Sequence, residues 1–292
     1  MHRLHPSDRM LPVAETPANA CDCHMHIYDS RFPVAETAAL RPPDALVEDY
    51  QQLQRRIGTE RLVVVTPSTY GTDNRCTLEA LARLGDCARG VAVVDTAIST
   101  KDMIQMDSCG IRGIRFNLTI GAVTTIDMIE PLSRRVHDLG WHVEVNISPE
   151  QLCRNESVLE RLATPLVLDH MARIPLGADL IREPSFKVVQ RLLDKGKTWI
   201  KLSGAYIGSK VGPPSFSDAG ELARAFVRLA PERLVWGSNW PHPTHQRDTP
   251  DDAALFDLLA EWIPMEGTRR QVLVGNPQSL YGWKTPEQPS RG

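Results

Sequence analysis

Two histidines, His24 and His26, alternate with Met25 at the end of an apolar run. If that run is a strand, its two-residue period turns both imidazoles to one side. Such a pair suits proton transfer or shared metal ligation, and equally suits hydrogen-bonded core histidines. His170 closes a later run of the same kind, Pro165-Leu166-Val167-Leu168-Asp169-His170, and supplies a third imidazole. Asn239 follows the last run, in Trp236-Gly237-Ser238-Asn239. An amide there can orient a hydroxyl through its oxygen, but it accepts no proton and is a poor ligand for a divalent cation.

Positive charge gathers near these groups. Arg115 and Asn117 alternate in a fourth run, Arg173 follows His170, and Lys201 and Arg31 add to them. Forked guanidinium donors match a substrate carboxylate; the same arginines also suit ion pairs with Asp169 or Glu144. Ser68, Tyr70 and Asn74 after the second run, Asn146 in the fifth, Ser203 and Tyr206 around the seventh, and His242 after the eighth can bind sugar hydroxyls or lie in solvated loops. Ser203 has no nucleophile-elbow context, which disfavours a serine-hydrolase triad.

These residues converge only if the runs that carry them are parallel strands of one barrel. Eight apolar, β-branched runs recur, at 21–28, 61–69, 90–96, 111–118, 142–148, 165–171, 198–204 and 233–240. Most of the segments between them have apolar positions three and four apart, as amphipathic helices do. Gly58, Gly140 and Gly196 stand where those helices would end in left-handed caps. Eight right-handed βα units close on themselves, so the expected fold is a (β/α)8 TIM barrel of the α/β class with its site at the carboxyl ends of the strands. An open doubly wound sheet would be the alternative, but its first turn lacks a dinucleotide-binding glycine fingerprint. The barrel is expected over residues 20–284, after a flexible N-terminal segment 1–19 and before a tail at 285–292. The stretch 209–218 reads as a loop able to cover the site.

Composition narrows the function. The 292 residues carry a net charge of −3, with 42% hydrophobic and 24% charged residues. That is an ordinary globular balance with no basic stripe for nucleic acid or an anionic membrane. There is no apolar run long enough to span a bilayer and no signal-peptide core, so a cytoplasmic protein is expected. Six cysteines without a Cys-x-x-Cys pair read as reduced thiols; Cys21 and Cys23 pack as small apolar groups rather than as metal ligands. Oligomeric state is not specified by these features.

The segments Asp22-Cys23-His24-Met25-His26-Ile27-Tyr28-Asp29, Val167-Leu168-Asp169-His170-Met171-Ala172-Arg173, Ile200-Lys201-Leu202-Ser203-Gly204 and Trp236-Gly237-Ser238-Asn239-Trp240-Pro241-His242, with the closing Gly275-Asn276-Pro277, resemble the amidohydrolase-2 family. The resemblance spans about residues 20–284 and is strongest to its branch acting on sugar-acid and dicarboxylate lactones. It implies an amidohydrolase-type barrel and a small carboxylated lactone as substrate. In the wider superfamily, the equivalents of His24, His26 and His170 join a strand-eight aspartate in holding a divalent metal. Asn239 departs from that pattern. No lysine on strand five is available for carbamylation, and strand seven offers Ser203, so no metal is expected to be required. Zinc could still bind adventitiously at His24, His26 and His170.

The asparagine also bears on the reaction. Hydrolysis needs a base to deprotonate water, whereas isomerisation uses a hydroxyl that the substrate itself holds in place. The expectation is therefore a lactone isomerase converting an aldaric-acid δ-lactone to its γ-lactone in uronic acid catabolism. His24, His26, His170 and Asn239 are the expected catalytic groups. Arg31, Ser68, Tyr70, Asn74, Arg115, Asn117, Asn146, Arg173, Lys201, Ser203, Tyr206 and His242 are the expected substrate-binding set. A lactonase is the alternative reading, and a non-catalytic ligand-binding homologue is a third.

Overall fold

A computed structural model describes residues 11–120, 123–177 and 179–284. Strands Cys21–Met25 (β1), Arg61–Val65 (β2), Ala88–Ala92 (β3), Ile111–Asn117 (β4), His142–Asn146 (β5), Leu166–Leu168 (β6), Thr198–Leu202 (β7) and Leu234–Trp236 (β8) form one sheet in sequence order. Every neighbouring pair is parallel. The principal helices are Val47–Ile57 (α1), Arg75–Leu84 (α2), Thr100–Ser108 (α3), Ile126–His137 (α4), Pro149–Arg154 (α5), Glu156–Glu160 (α6), Pro184–Asp194 (α7), Ser217–Leu229 (α8), Asp252–Trp262 (α9), Glu266–Arg270 (α10) and Asn276–Tyr281 (α11). None is long and apolar enough to cross a membrane. This is the expected (β/α)8 barrel.

Local sequence explains the units. In α1, Val47, Tyr50, Leu53 and Ile57 fall on the buried face, with Glu48 and Asp49 at the start and Arg55 and Arg56 at the end, each sign matched to the helix dipole. Gly58 then stops the helix at φ 78°, donating to Gln54 O. Gly140 and Gly196 take the same left-handed conformation. On the strands, Leu62, Val64, Ile114, Val143, Ile200 and Leu234 pack outward under the helices. Cys21, Cys23, Val63, Val65, Val91, Val167, Trp199 and Val235 fill the barrel interior, where Tyr281 and Trp283 join them. All six cysteines are free thiols.

The eighth run leaves the ladder at Trp236, earlier than its sequence suggests, because the next residues close the barrel against β1. Asn239 N–H donates to His24 O and His26 N–H donates to Trp240 O, both at 2.8 Å. Gly237 sits where the two backbones press together. A Cβ there would lie 2.6 Å from His24 Cβ and 2.9 Å from His24 N, and backbone cannot rotate away as a side-chain tip can. Gly237→Ala is expected to cost roughly 3 kcal/mol and lower the thermal midpoint by about 5 °C. An unchanged melting curve would show that the seam has slack.

β1 also carries a bulge. Its pairing with β2 runs Cys21 to Arg61, Asp22 to Leu62, then Met25 to Val64, so β1 spends one extra residue between the last two pairs. Cys21 and Cys23 face the interior, and after the bulge His24 does too, while Met25 packs in the outer layer. A bulge re-aims side chains in this way.

Of the segment 1–19, residues 11–19 are described, and they hydrogen-bond to the barrel. Val13 and Ala14 N–H groups donate to Asp257, Thr16 Oγ1 donates to Ile57 O, and Asn19 N–H donates to Glu60. The remainder of that segment and the tail at 285–292 lie outside the described residues.

Candidate active site

A cleft of about 680 Å³, its open mouth included, lies at the carboxyl ends of the strands. His26, His170 and Asn239 line it, with Ser68, Arg115, Asn117, Asn146 and Arg173. On one wall Asn117 Nδ2 donates to Ser68 Oγ at 3.0 Å, and Asn146 Nδ2 to Asn117 Oδ1 at 3.0 Å. The loops add Tyr28, Thr37, Leu40, Thr69, Thr119, Ile207, Pro243 and Thr244, which the sequence reading missed. Tyr28 had a signal, since it continues the alternation of His24 and His26. The others stand in loops without periodicity. The stretch 209–218 contributes nothing to the lining; Ser209 and Lys210 instead hydrogen-bond Asp218 at the start of α8.

Hydrogen bonding determines which nitrogen of His26 carries its proton. His26 Nδ1 lies 2.8 Å from Val65 O, and a carbonyl only accepts, so Nδ1 is protonated and the neutral ring has its lone pair on Nε2. Burial, assisted by Arg115, pushes the His26 pKa down to about 3. His170 Nδ1 lies 2.9 Å from Ser203 Oγ. Burial pushes its pKa down to about 3 as well; Asp169 opposes that shift, and Arg115 and Arg173 support it.

These two imidazoles make the fold sensitive to acid. Both folded values lie below the ordinary histidine value of 6.5, so below 6.5 protons bind the unfolded chain more strongly. Their stabilising contribution is full above that pH and is lost progressively as pH falls toward 3. At about 1.4 kcal/mol per pH unit for each group, the two together are expected to remove about 5 kcal/mol by pH ~4.5. Urea midpoints measured from pH ~7.5 to ~4.5 test this, and a flat profile would overturn it.

Beneath the cleft lies a buried charged layer that reaches its wall at Arg115. Arg115 Nε donates to Asp169 Oδ2 at 2.9 Å and lies 3.3 Å from Glu144 Oε1. Lys201 Nζ donates to Glu144 Oε2 at 2.5 Å and lies 3.7 Å from Asp169 Oδ1. His24 stands in this layer rather than on the cleft wall, with Nδ1 3.0 Å from Lys201 Nζ and 3.3 Å from Asp169 Oδ1. Its ring centroid is 4.9 Å from those of both His26 and His170. Burial and then Lys201 depress the His24 pKa. Although burial alone would raise it, Asp169 is held well below the usual carboxylate range by His24, Arg115 and Lys201.

Among the described residues, the group with metal-ligand spacing is His24, Asp169 and His170, with Asp169 in place of the expected His26. Spacing is met, but charge is not. Arg115 and Lys201 already balance Glu144 and Asp169, so a divalent ion would add two uncompensated positive charges in a buried layer. Asn239 supplies only a neutral amide, whose Nδ2 is engaged by Tyr206. On charge the donor set is a poor match for a resident divalent cation, although His24 Nε2 and Asp169 Oδ1 are buried without a hydrogen-bond partner.

Arg115 is thus an ion-pair partner of barrel acids while also forming part of the wall. Arg173 is different: half-buried and in the cleft, it has no ion pair or hydrogen bond among the described residues. It ends an unusual turn. His170, Met171, Ala172 and Arg173 all have positive φ, between 50° and 55°, a region that costs non-glycine residues roughly 1 kcal/mol or more each. Strain of this kind persists where surrounding structure enforces it, commonly at functional sites. Here it turns both His170 and Arg173 into the cleft.

The other expected site residues lie behind the wall or apart from it. Tyr70 OH accepts from Asp29 N–H at 2.7 Å and fixes the turn after β1. Asn74 extends the β2–β3 pairing through its amide, accepting from Val93 N–H and donating to Val93 O. Lys201 belongs to the charged layer, Ser203 backs His170, and Tyr206 and His242 stand behind Asn239. Arg31 is exposed and pairs with Asp29 and Glu79, away from the cleft.

Known proteins are similar to this chain in sequence and fold. Residues 21–283 match the amidohydrolase family Amidohydro_2. A 4-sulfomuconolactone hydrolase of Rhizobium radiobacter is 32% identical over 286 residues, covering 95% of each chain. A D-galactarolactone isomerase of Agrobacterium fabrum is 31% identical over 276 residues, 92% of this chain and 93% of the relative. An Agrobacterium tumefaciens protein solved in its apo form superposes with a TM-score of 0.87 at 29% identity, over 94% of this chain and 99% of its own. A probable 2-pyrone-4,6-dicarboxylic acid hydrolase of Acinetobacter baumannii with citric acid bound gives 0.81 at 26% identity, over 91% and 100%. The chain belongs to the amidohydrolase family Amidohydro_2, as a (β/α)8 barrel whose relatives are lactone-processing enzymes.

Proposed function

We propose that the protein is a cytoplasmic, metal-independent lactone isomerase that converts an aldaric-acid δ-lactone, D-galactaro-1,5-lactone, to the γ-lactone in uronic acid catabolism. The observation that carries this reading is Asn239 in the cleft wall after β8. A neutral amide takes no proton, which leaves His26 as the base for either nucleophile, but it can orient a hydroxyl that the substrate already holds beside its own carbonyl at high effective concentration. The charge of the cleft favours the same class. Arg173 offers one unpaired guanidinium, which suits a lactone with a single free carboxylate better than a dianion. Thr37, Ser68, Asn117, Thr119, Asn146 and Thr244 supply partners for sugar hydroxyls.

In the proposed reaction the ring carbon's neighbouring hydroxyl attacks the lactone carbonyl while His26 Nε2 takes its proton. A carboxylate bound at Arg173 offsets part of the positive field that depresses His26, moving its pKa toward a working value. Ser203 donates its hydroxyl hydrogen to His170 Nδ1, which leaves the His170 Nε2–H to stabilise the oxyanion. The original ring C–O bond then breaks, and His26 returns the proton to the leaving oxygen. No water is consumed. His24 and the charged layer support the two cleft histidines from below.

Hydrolysis is the competing reading, because relatives at the same level of identity carry hydrolase names. Time-resolved proton NMR of freshly prepared D-galactaro-1,5-lactone with chelator-treated enzyme separates the two. Formation of the γ-lactone above the uncatalysed rate is the expected result. Release of open-chain acid would make the protein a lactonase, and activity only on metal addition would overturn the metal-free mechanism.

A further inference from the structure

Behind Asn239 runs a chain of three side chains that the proposed steps leave unused. Asp252, in the first turn of α9, lies 3.0 Å from His242 Nε2 through Oδ1. His242 Nδ1 lies 2.8 Å from the Tyr206 hydroxyl, and that oxygen lies 2.7 Å from Asn239 Nδ2. All four residues are buried, so water does not substitute for a missing partner.

Each link has one direction once the first is set. A carboxylate only accepts, so His242 Nε2 carries a hydrogen and the neutral ring offers Nδ1 as an acceptor. The phenol has one hydrogen and gives it to Nδ1. Its oxygen is then left to accept, and in the Asn239 amide only the NH2 can give. The amide oxygen is turned away from Tyr206. Without the chain, the two ends of the amide are close to isosteric, and a flipped rotamer would present donors where the reaction needs an acceptor. The backbone is fixed at both ends of the same segment: Asn239 and His242 have φ 61° and 58°, and His242 N–H donates to Asn239 O at 2.8 Å.

We propose that Asp252, His242 and Tyr206 are positioning residues whose directional hydrogen bonds hold Asn239 with its amide oxygen toward the reacting hydroxyl of the substrate. The identity of that hydroxyl rests on the isomerase reading above; the direction of the chain does not.

Tyr206→Phe, made in the native enzyme and in Asn239→Ala, tests the coupling. In the native background kcat is expected to fall about tenfold with KM within about twofold, the loss of one orienting hydrogen bond. With Asn239 already gone, Tyr206→Phe is expected to cost nothing further. An equal loss in both backgrounds, or a loss carried by KM, would overturn the proposal in favour of a scaffold role. Long-range proton–nitrogen NMR of His242 in the unmodified protein supplies a readout that needs no turnover. The expected spectrum has Nε2 protonated and Nδ1 bare at neutral pH, and the opposite tautomer or a doubly protonated ring would overturn the chain. If the native enzyme fails to isomerise the lactone, the functional reading falls while the His242 spectrum still decides the direction of the chain.

Discussion

His26→Asn is expected to lower the kcat for lactone isomerisation by about a thousandfold, within the usual range for loss of a general base. Asparagine is chosen because its Nδ2 can occupy the place of His26 Nδ1 and keep donating to Val65 O, 2.8 Å away in the native protein. What it removes is Nε2, the lone pair left by that bond. KM should change little, because Arg173 and the polar wall still hold the substrate. The measurement is steady-state turnover alongside a thermal melt, which separates lost chemistry from lost fold. A fall smaller than about tenfold in a folded variant would take the proton-transfer role away from His26.

Lys201→Met is expected to destabilise the barrel by about 3–5 kcal/mol, the range for removing one partner of a buried ion pair. Lys201 is fully buried, and its ammonium bonds Glu144 and His24 and lies near Asp169. Methionine fills much the same volume, so the cost comes from two carboxylates left with Arg115 as their remaining close cation. The double variant Lys201→Met/Glu144→Leu removes a charge of each sign, and it is expected to lose less than Lys201→Met alone. Denaturant unfolding of both variants reads this directly. If the single variant lost under about 1 kcal/mol, the layer would not depend on charge balance.

Much of this architecture was legible in the sequence because a parallel strand writes itself as a short β-branched run and a surface helix as a three-and-four pattern. His26, His170, Asn239 and Arg173 were legible for a related reason: in a barrel, the residue ending a strand faces the cleft. The same logic overreached at Lys201 and His24, which sit one residue pair too deep and serve the charged layer. It failed at Arg31, where a neighbouring Asp29 and a distant Glu79 satisfy the guanidinium outside the cleft. Loop residues such as Thr37 and Thr244 reach the cleft through turns that no periodicity encodes. Asn74 read as a sugar-binding amide, but its two amide ends match a strand's own N–H and C=O, and the backbone of Val93 claimed both.

The extra residue in β1 places a constraint on inheritance rather than on chemistry. Interior-facing Cys21 and Cys23 occupy odd positions and the inward His24 an even one, with the bulge absorbing the change of parity. The catalytic face of this strand is therefore set by how many residues it contains as well as by which they are. A single-codon deletion between Asp22 and Met25 would straighten the strand with Met25 still opposite Val64, and would remove one of the two inward-facing neighbours Cys23 and His24. Only at this length can Cys23 and His24, adjacent in sequence, both face the interior.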